Sequence, residues 1–181
     1  MKLKTIFGLV AIFSIAFLAC KPKSKVAHSF PDASPTAKTA FERNDSTLQF
    51  FDWNTGYTLA KKWNKILLVD VYTEWCGWCK VMDRETYADK SVIALLNKDF
   101  ICVKFNPEIA NDSLVFETAV VDNRALHSFL FDRRSSGYPT TTFWLNPNKQ
   151  EKLEVVAGYL DVDRFTALLN QVKEAKANST P

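Results

Sequence analysis

The segment from Ile66 to Lys80 constrains the fold of this chain more than any other stretch. Ile66 to Tyr72 is a continuous apolar run broken only by Asp70. Such a run fits a strand buried on both faces of a sheet, because neither parity of side chain is polar. Cys76-Gly77-Trp78-Cys79 follows after a short connection and opens a helical stretch. The order is therefore strand, turn, helix, with both cysteines on the first helical turn. Two-residue spacing there brings the sulfurs close enough for a disulfide. A helix start presents free N–H groups and the positive end of the backbone dipole, and both favour a thiolate. The thiolate is the attacking species in disulfide exchange. Cys76 is thus the candidate nucleophile and is expected to be exposed at the helix end. Cys79, one turn deeper, is the candidate resolving thiol and is expected to be shielded.

The rest of the chain alternates in the same way. Leu48 to Phe51 reads as a short strand. Asn54 or Thr55 is expected to cap a helix that runs through Asn64 with Leu59, Ala60 and Trp63 on one face. Val92, Leu95 and Leu96 mark a short helix, and Phe100 to Phe105 a second buried strand. Ser113 to Val121 is open between strand, helix and packed loop. Ala125 to Phe131 reads as helix. Thr140 to Leu145 and Leu153 to Ala157 read as a hairpin around Pro147-Asn148-Lys149, closed by Gly158. Asp161 then caps a last helix with Phe165, Leu168, Leu169 and Val172 at i, i+3, i+4, i+7. Alternation of this kind argues for α/β architecture.

The start of the chain has a different character. Lys2 and Lys4 precede an apolar run from Ile6 to Ala19, shorter than the roughly 20 residues that span a bilayer. The run ends in Phe17-Leu18-Ala19-Cys20, which resembles the lipobox of bacterial lipoproteins, with Phe17 where that motif usually has Leu. The resemblance implies a signal peptide over 1–19 and lipidation of Cys20. Residues 20–47 hold Pro22, Pro31 and Pro35 with no apolar periodicity, and read as a tether. Residues 177–181 read as a tail. An exported protein meets an oxidising compartment, where disulfides persist. Lys21 follows Cys20 without an acidic cluster, which favours a periplasmic position at the membrane.

Charge and cysteine use narrow the function classes. There are 23 Lys and Arg against 20 Asp and Glu, a net charge of +3, too small to imply a nucleic-acid partner. Cys102 lies inside an apolar run and reads as a small core residue. Cys76 and Cys79 remain as the obvious pair. Structural zinc needs two further ligands; Cys102, His28 and His127 have no ligand spacing, so no metal is expected. His127 reads as a helix-surface residue.

Lys65 to Lys80 resembles the heart of a thioredoxin. Four separated features agree in order, this segment and three further positions. Asp70 stands six residues before Cys76, where thioredoxins carry a buried acid. Lys104 matches the lysine beside that acid. Tyr138-Pro139-Thr140 matches the cis-proline that faces the disulfide. The resemblance spans about residues 48–176. It implies a thioredoxin fold, a central mixed β-sheet flanked by helices in a single domain. It also implies a thiol–disulfide oxidoreductase that uses no cofactor, with Asp70, Lys104 and Pro139 joining Cys76 and Cys79 at the catalytic site. Trp75, Trp78, Tyr138 and Thr140 are the expected substrate contacts, Trp75 packed and Trp78 exposed beside Cys76. Trp-Cys-Gly-Trp-Cys-Lys is most similar to exported bacterial thioredoxin-like proteins. Copper-carrying relatives use wider cysteine spacing and a particular histidine, and neither is present.

Two departures stand out. Gly77-Trp78 replaces the Gly-Pro of thioredoxin, and the stretch from Pro107 to Ser136 is longer than the family core. The expected partners are exported thiol or disulfide proteins and a membrane electron donor, and the protein is expected to be a monomer. Gly77 and Trp78 carry no charge to stabilise a thiolate strongly, so the expected direction is reducing. A binding module with a structural disulfide, and a disulfide oxidase or isomerase, are the alternatives.

Overall fold

The computed structural model describes residues 46–131, 137–149 and 151–179. The expected signal peptide, the expected lipidation of Cys20 and most of the expected tether lie outside the described residues.

The buried run forms β2 (Ile66–Val71), every residue of which is buried. It pairs in parallel with β3 (Phe100–Phe105), which pairs in parallel with the short β1 (Phe50–Phe51). On its other side β2 is antiparallel to β6 (Thr140–Asn146), which turns back into β7 (Glu151–Ala157). The order is β1-β3-β2-β6-β7, a mixed five-stranded sheet.

Period-2 alternation along β2 divides the core into two layers. Leu67, Val69 and Val71 face α1 (Trp53–Trp63) and α4 (Asn123–Phe131), with Trp53, Tyr57, Leu126 and Leu130. Ile66 and Leu68 face α2 (Gly77–Glu85), α3 (Lys90–Asp99) and α5 (Val162–Ser179), with Met82, Leu96, Phe165 and Leu169. Each layer buries large apolar side chains completely, at about 1.5–3 kcal/mol apiece.

Helix starts follow capping chemistry. Asp52, rather than Asn54 or Thr55, caps α1: its carboxylate accepts from Thr55 N–H at 3.0 Å. An aspartate side chain at this position satisfies an orphan N–H of the first turn and suits the positive end of the helix. Asp122 Oδ1 likewise accepts from Ala125 N–H at 2.8 Å, so α4 begins two residues before the expected Ala125.

The open segment resolves as a hairpin of β4 (Leu114–Phe116) and β5 (Ala119–Val121), a separate two-stranded sheet. It docks on α1 through polar bonds. Trp53 Nε1–H donates to Val115 O at 2.7 Å, and Asn54 accepts from Val115 N–H at 2.7 Å while donating to Ser113 O at 3.0 Å. Leu114 is buried in the α1 layer and Phe116 packs against it.

Candidate active site

Cys76 is the N-cap of α2, and its Sγ accepts from Cys79 N–H at 3.0 Å. Cys76 and Cys79 form a disulfide across a Cα–Cα distance of 5.3 Å. The sulfur nucleophile is therefore placed where a helix offers an orphan N–H and its dipole. The expected contrast in exposure is corrected: Cys76 is 4% exposed and Cys79 2%. Cys76 Sγ is turned back over the first helical turn, towards Cys79 N–H and the second sulfur, so it shows little of itself to solvent.

Asp70 lies on the face of β2 that looks towards α2, as do Ile66 and Leu68. It is 1% exposed. Cys79 and Met82 are the buried residues of α2, so Cys79 looks down on the same layer. Asp70 has Lys104 beside it on β3 and Thr141 on β6. The Lys104 ammonium pairs with the Asp70 carboxylate and also with Asp83 on α2. It lies 5.0 Å from the ring centre of Phe50 and 5.1 Å from that of Tyr72. Burial pushes the Asp70 carboxyl above its ordinary range, and Lys104 offsets this only in part. Burial pulls the Lys104 ammonium down, but Asp70 and Asp83 outweigh it and hold the group above its ordinary value.

The Tyr138–Pro139 peptide bond is cis. Tyr138 meets Trp75 edge-on, with ring centres 5.7 Å apart. Trp75 is 67% exposed, not packed as expected. It sits on the loop before the helix, where its indole N–H reaches outward to Glu108 at 2.9 Å. Trp78 is exposed as expected. Thr140 is fully buried and its hydroxyl donates to Gly137 O at 2.8 Å. Its side chain is thus withdrawn from the expected substrate contact, because it closes the turn before β6.

Beside Trp75 an open cavity of about 750 Å³ is lined by Glu108, Asp122, Arg124, His127 and Tyr138, among others. His127 is not a simple surface residue: Nε2 lies 3.3 Å from the Tyr138 hydroxyl, and the ring packs on Phe131. Burial pulls its pKa down.

Three contributors escaped the sequence reading. Asp83 lies one turn after Cys79 on the same helix, a spacing that flags it. Glu108, which accepts from Trp75, and Tyr159, whose ring centre lies 5.4 Å from that of Trp78, come from loops whose approach to the site has no sequence signal.

A mixed sheet in this order, with a Cys-x-x-Cys disulfide at the helix start after its central strand, defines a thioredoxin-like protein. The chain belongs to the family described as Thioredox_DsbH, protein of unknown function, DUF255, which matches residues 36–179. Among curated proteins it is 29% identical over 104 residues to spermatogenesis-associated protein 20 of Mus musculus, covering 57% of this chain and 12% of that protein. It is 26% identical over 110 residues to the thiol:disulfide interchange protein DsbD of Haemophilus influenzae, covering 60% of this chain and 17% of that protein. The chain thus spans a minor part of the length of these relatives. Among solved structures, a thioredoxin from Thermus thermophilus shares the fold with a TM-score of 0.51 at 19% identity, covering 70% of this chain and 88% of that one. A structure titled DsbH Oxidoreductase does so with a TM-score of 0.51 at 13% identity, covering 76% and 93%.

Proposed function

We propose that this protein is a thiol–disulfide oxidoreductase that works through Cys76 and Cys79 in the reducing direction. The observation that carries the reading is the Cys76 sulfur at the N-cap of α2, bonded to Cys79 and accepting from its N–H. In the reduced state the Cys76 thiolate attacks a substrate disulfide, and one substrate sulfur leaves as a thiolate. Cys79 gives its proton to Asp70, attacks Cys76 Sγ, and releases the second substrate sulfur. Two electrons pass to the substrate, whose two thiolates take up the proton held by Asp70 and one from water, and the Cys76–Cys79 disulfide reforms. An electron donor then restores the dithiol. Kinship with a protein named for thiol:disulfide interchange supports this chemistry.

Direction follows from what stabilises the Cys76 thiolate. The helix start and one N–H contribute, while Gly77 and Trp78 add no charge. A strong oxidant needs a more stabilised reduced form. Exported proteins, or a relay from a membrane electron donor, are the proposed substrates. The start of the chain supports a periplasmic protein anchored through lipidated Cys20. An unmodified Cys20 in mass spectra of the native N-terminus would reject the anchor.

Equilibration with glutathione tests the chemistry and its direction. A potential of about −200 mV or below supports the reductase, and one of about −120 mV rejects it. A disulfide that resists a mild dithiol rejects catalysis altogether. Cys79→Ser should freeze mixed disulfides on Cys76, and sequencing the trapped partners identifies the substrates.

A further inference from the structure

Seven lysines gather at the end of the sheet where β2 begins. Lys61 and Lys62 stand in the last turn of α1, Lys98 in that of α3, and Lys173 and Lys176 near the end of α5. Lys65 leads into β2, and Lys149 lies in the turn between β6 and β7. Bonds join these segments into one face. Lys65 Nζ donates to Lys98 O, and Lys176 Nζ donates to Asn64 O at 2.6 Å and to Leu145 O at 3.0 Å. Asn148 Nδ2 donates to Lys61 O at 3.0 Å, and Lys173 pairs with Asp99 at 2.7 Å. Seven lysines stand against two acids in these segments, Asp99 and Glu174, a net of +5. The whole chain carries +3, so the remainder sums to −2.

Helix dipoles explain part of this, since lysines in a last turn suit the negative helix end. Lys65 and Lys149 lie outside helices. Burial pulls Lys176 below its ordinary value, and the nearby Lys65 ammonium adds to the effect. Crowding of like charges weakens a fold, and an anion from outside would relieve it. Lys65, Lys173 and Lys176 also border an open cleft of about 380 Å³, which has room for a phosphate group.

The described chain enters the domain at the same face. Asn97 Nδ2 donates to Thr47 O at 3.1 Å, one residue from Lys98. Thr47 lies 27 residues after Cys20. That covalent length holds the entry point within about 95 Å of a lipid on Cys20, whatever its conformation. From this face β2 runs six residues, about 20 Å, towards the loop that carries Cys76.

We propose that this lysine face docks on the anionic phospholipid headgroups of the membrane that holds the anchor, with Cys76 at the end turned away from it. The proposal deepens the anchored reading and rests on it for the nearness of the membrane. Each lysine near an anionic surface strengthens attachment about fivefold, and the effect fades within a Debye length. A membrane is favoured over an acidic partner protein because the anchored chain enters at this face.

The test uses the full chain as isolated from cells, placed on protein-free vesicles. One set is phosphatidylcholine alone, and the other is phosphatidylcholine and phosphatidylglycerol in a two-to-one ratio. Lysine acetylation is mapped by mass spectrometry. Acetylation of the seven lysines should fall at least about fivefold on the anionic vesicles relative to the neutral ones. Lys80 and Lys90, exposed at the Cys76 end, should label equally on both. Salt at about 0.5 M should erase the difference. Lys62, Lys98 and Lys149 are exposed, and a variant carrying Lys62→Gln, Lys98→Gln and Lys149→Gln should lose most of the protection with an unchanged denaturant melt. Equal labelling on both vesicles, protection of Lys80 and Lys90 as strong as that of the face, or protection that survives the triple variant would overturn the proposal. Protection seen only on native membranes would also overturn it and assign the face to an acidic protein. An unmodified Cys20 in the same spectra would overturn the anchor alone, and the difference between the two vesicles would still decide the face.

Discussion

Lys104 on β3 is the cross-strand neighbour of Asp70 on β2, and its ammonium pairs with that buried carboxylate. The same ammonium also serves Asp83 on α2. One cation is thus divided between two acids, and Asp70 Oδ1 accepts no hydrogen bond among the described residues. A buried charge that is only partly compensated costs stability, and the raised pKa of Asp70 is the titration counterpart of that cost.

Asp70→Asn should therefore stabilise the fold at neutral pH. Asp70 binds its proton more tightly in the folded chain than in the unfolded one. Its favourable contribution is present below the ordinary value of 3.8 and is lost as pH rises through the folded value. The amide removes the charge, and Lys104 keeps Asp83 as its partner. The expected gain is present at pH 7, where burial makes the charged carboxylate costly, and it shrinks on acidification. It should vanish at pH 3, where Asp70 is protonated in both states. Denaturant melts at pH 3, 5 and 7 measure it; a pH-independent difference would contradict the account. Reductase turnover should fall in the same variant, because Cys79 loses its proton acceptor.

Lys104→Met should have the opposite effect. It leaves Asp70 buried without its cation, a change that costs about 3–5 kcal/mol where both partners are buried. Lys104 is partly exposed and Asp70 can protonate, so the expected loss at pH 7 is about 2–3 kcal/mol. The loss should shrink as Asp70 protonates on acidification. The pKa of Lys104 is raised, so its own contribution holds below the ordinary 10.5 and disappears only at higher pH. A variant as stable as the wild type at pH 7 would mean that the pair contributes nothing.

Much of this arrangement was legible in the sequence, and the illegible parts share a cause. β2 and β3 could be read because a short apolar run rich in β-branched and aromatic residues is too short for a helix and fits a buried strand, as at Ile66–Val71. The Cys76–Cys79 pair was legible because spacing and helix start act locally. The β4–β5 hairpin was not, because Val115 and Val120 lie exposed and its docking depends on Trp53, Asn54 and Tyr57, some sixty residues away. Trp75 was misplaced for a related reason. A large apolar residue is assigned to the core by its type, yet its one polar atom finds Glu108 on a surface loop.

The cysteines should react in a fixed order. In the reduced protein Cys76 retains the helix start and the Cys79 N–H, which favour its thiolate, whereas Cys79 faces the buried layer of Asp70. Alkylation by iodoacetamide at pH 7 should label Cys76 at least about tenfold faster than Cys79. Cys102 is fully buried in β3 and should label only after denaturation. Peptide mapping by mass spectrometry resolves the sites. Faster labelling of Cys79 would reverse the two roles.

Two glycines in helices should respond to alanine with opposite signs. Gly56 lies in α1 against β3, and a Cβ there would meet Val103 Cγ2 at 2.2 Å. Val103 is buried, β-branched and paired to Phe51 and Val69 on its two neighbouring strands, so its methyl has nowhere to rotate. The helix would have to lift, straining the bonds of Trp53 and Asn54 to the β4–β5 hairpin. Overpacking of this kind costs about 1–3 kcal/mol and exceeds the gain of up to about 1 kcal/mol in helix propensity. Gly77 opens α2 with nothing within 4 Å of the position of an added Cβ. Gly77→Ala should therefore stabilise by about 0.5 kcal/mol, through propensity alone. Chemical denaturation of both variants measures the pair. A stabilised Gly56→Ala would show that α1 can move off the sheet without loss, contrary to the close packing of α1 on β3 and its bonds to the hairpin.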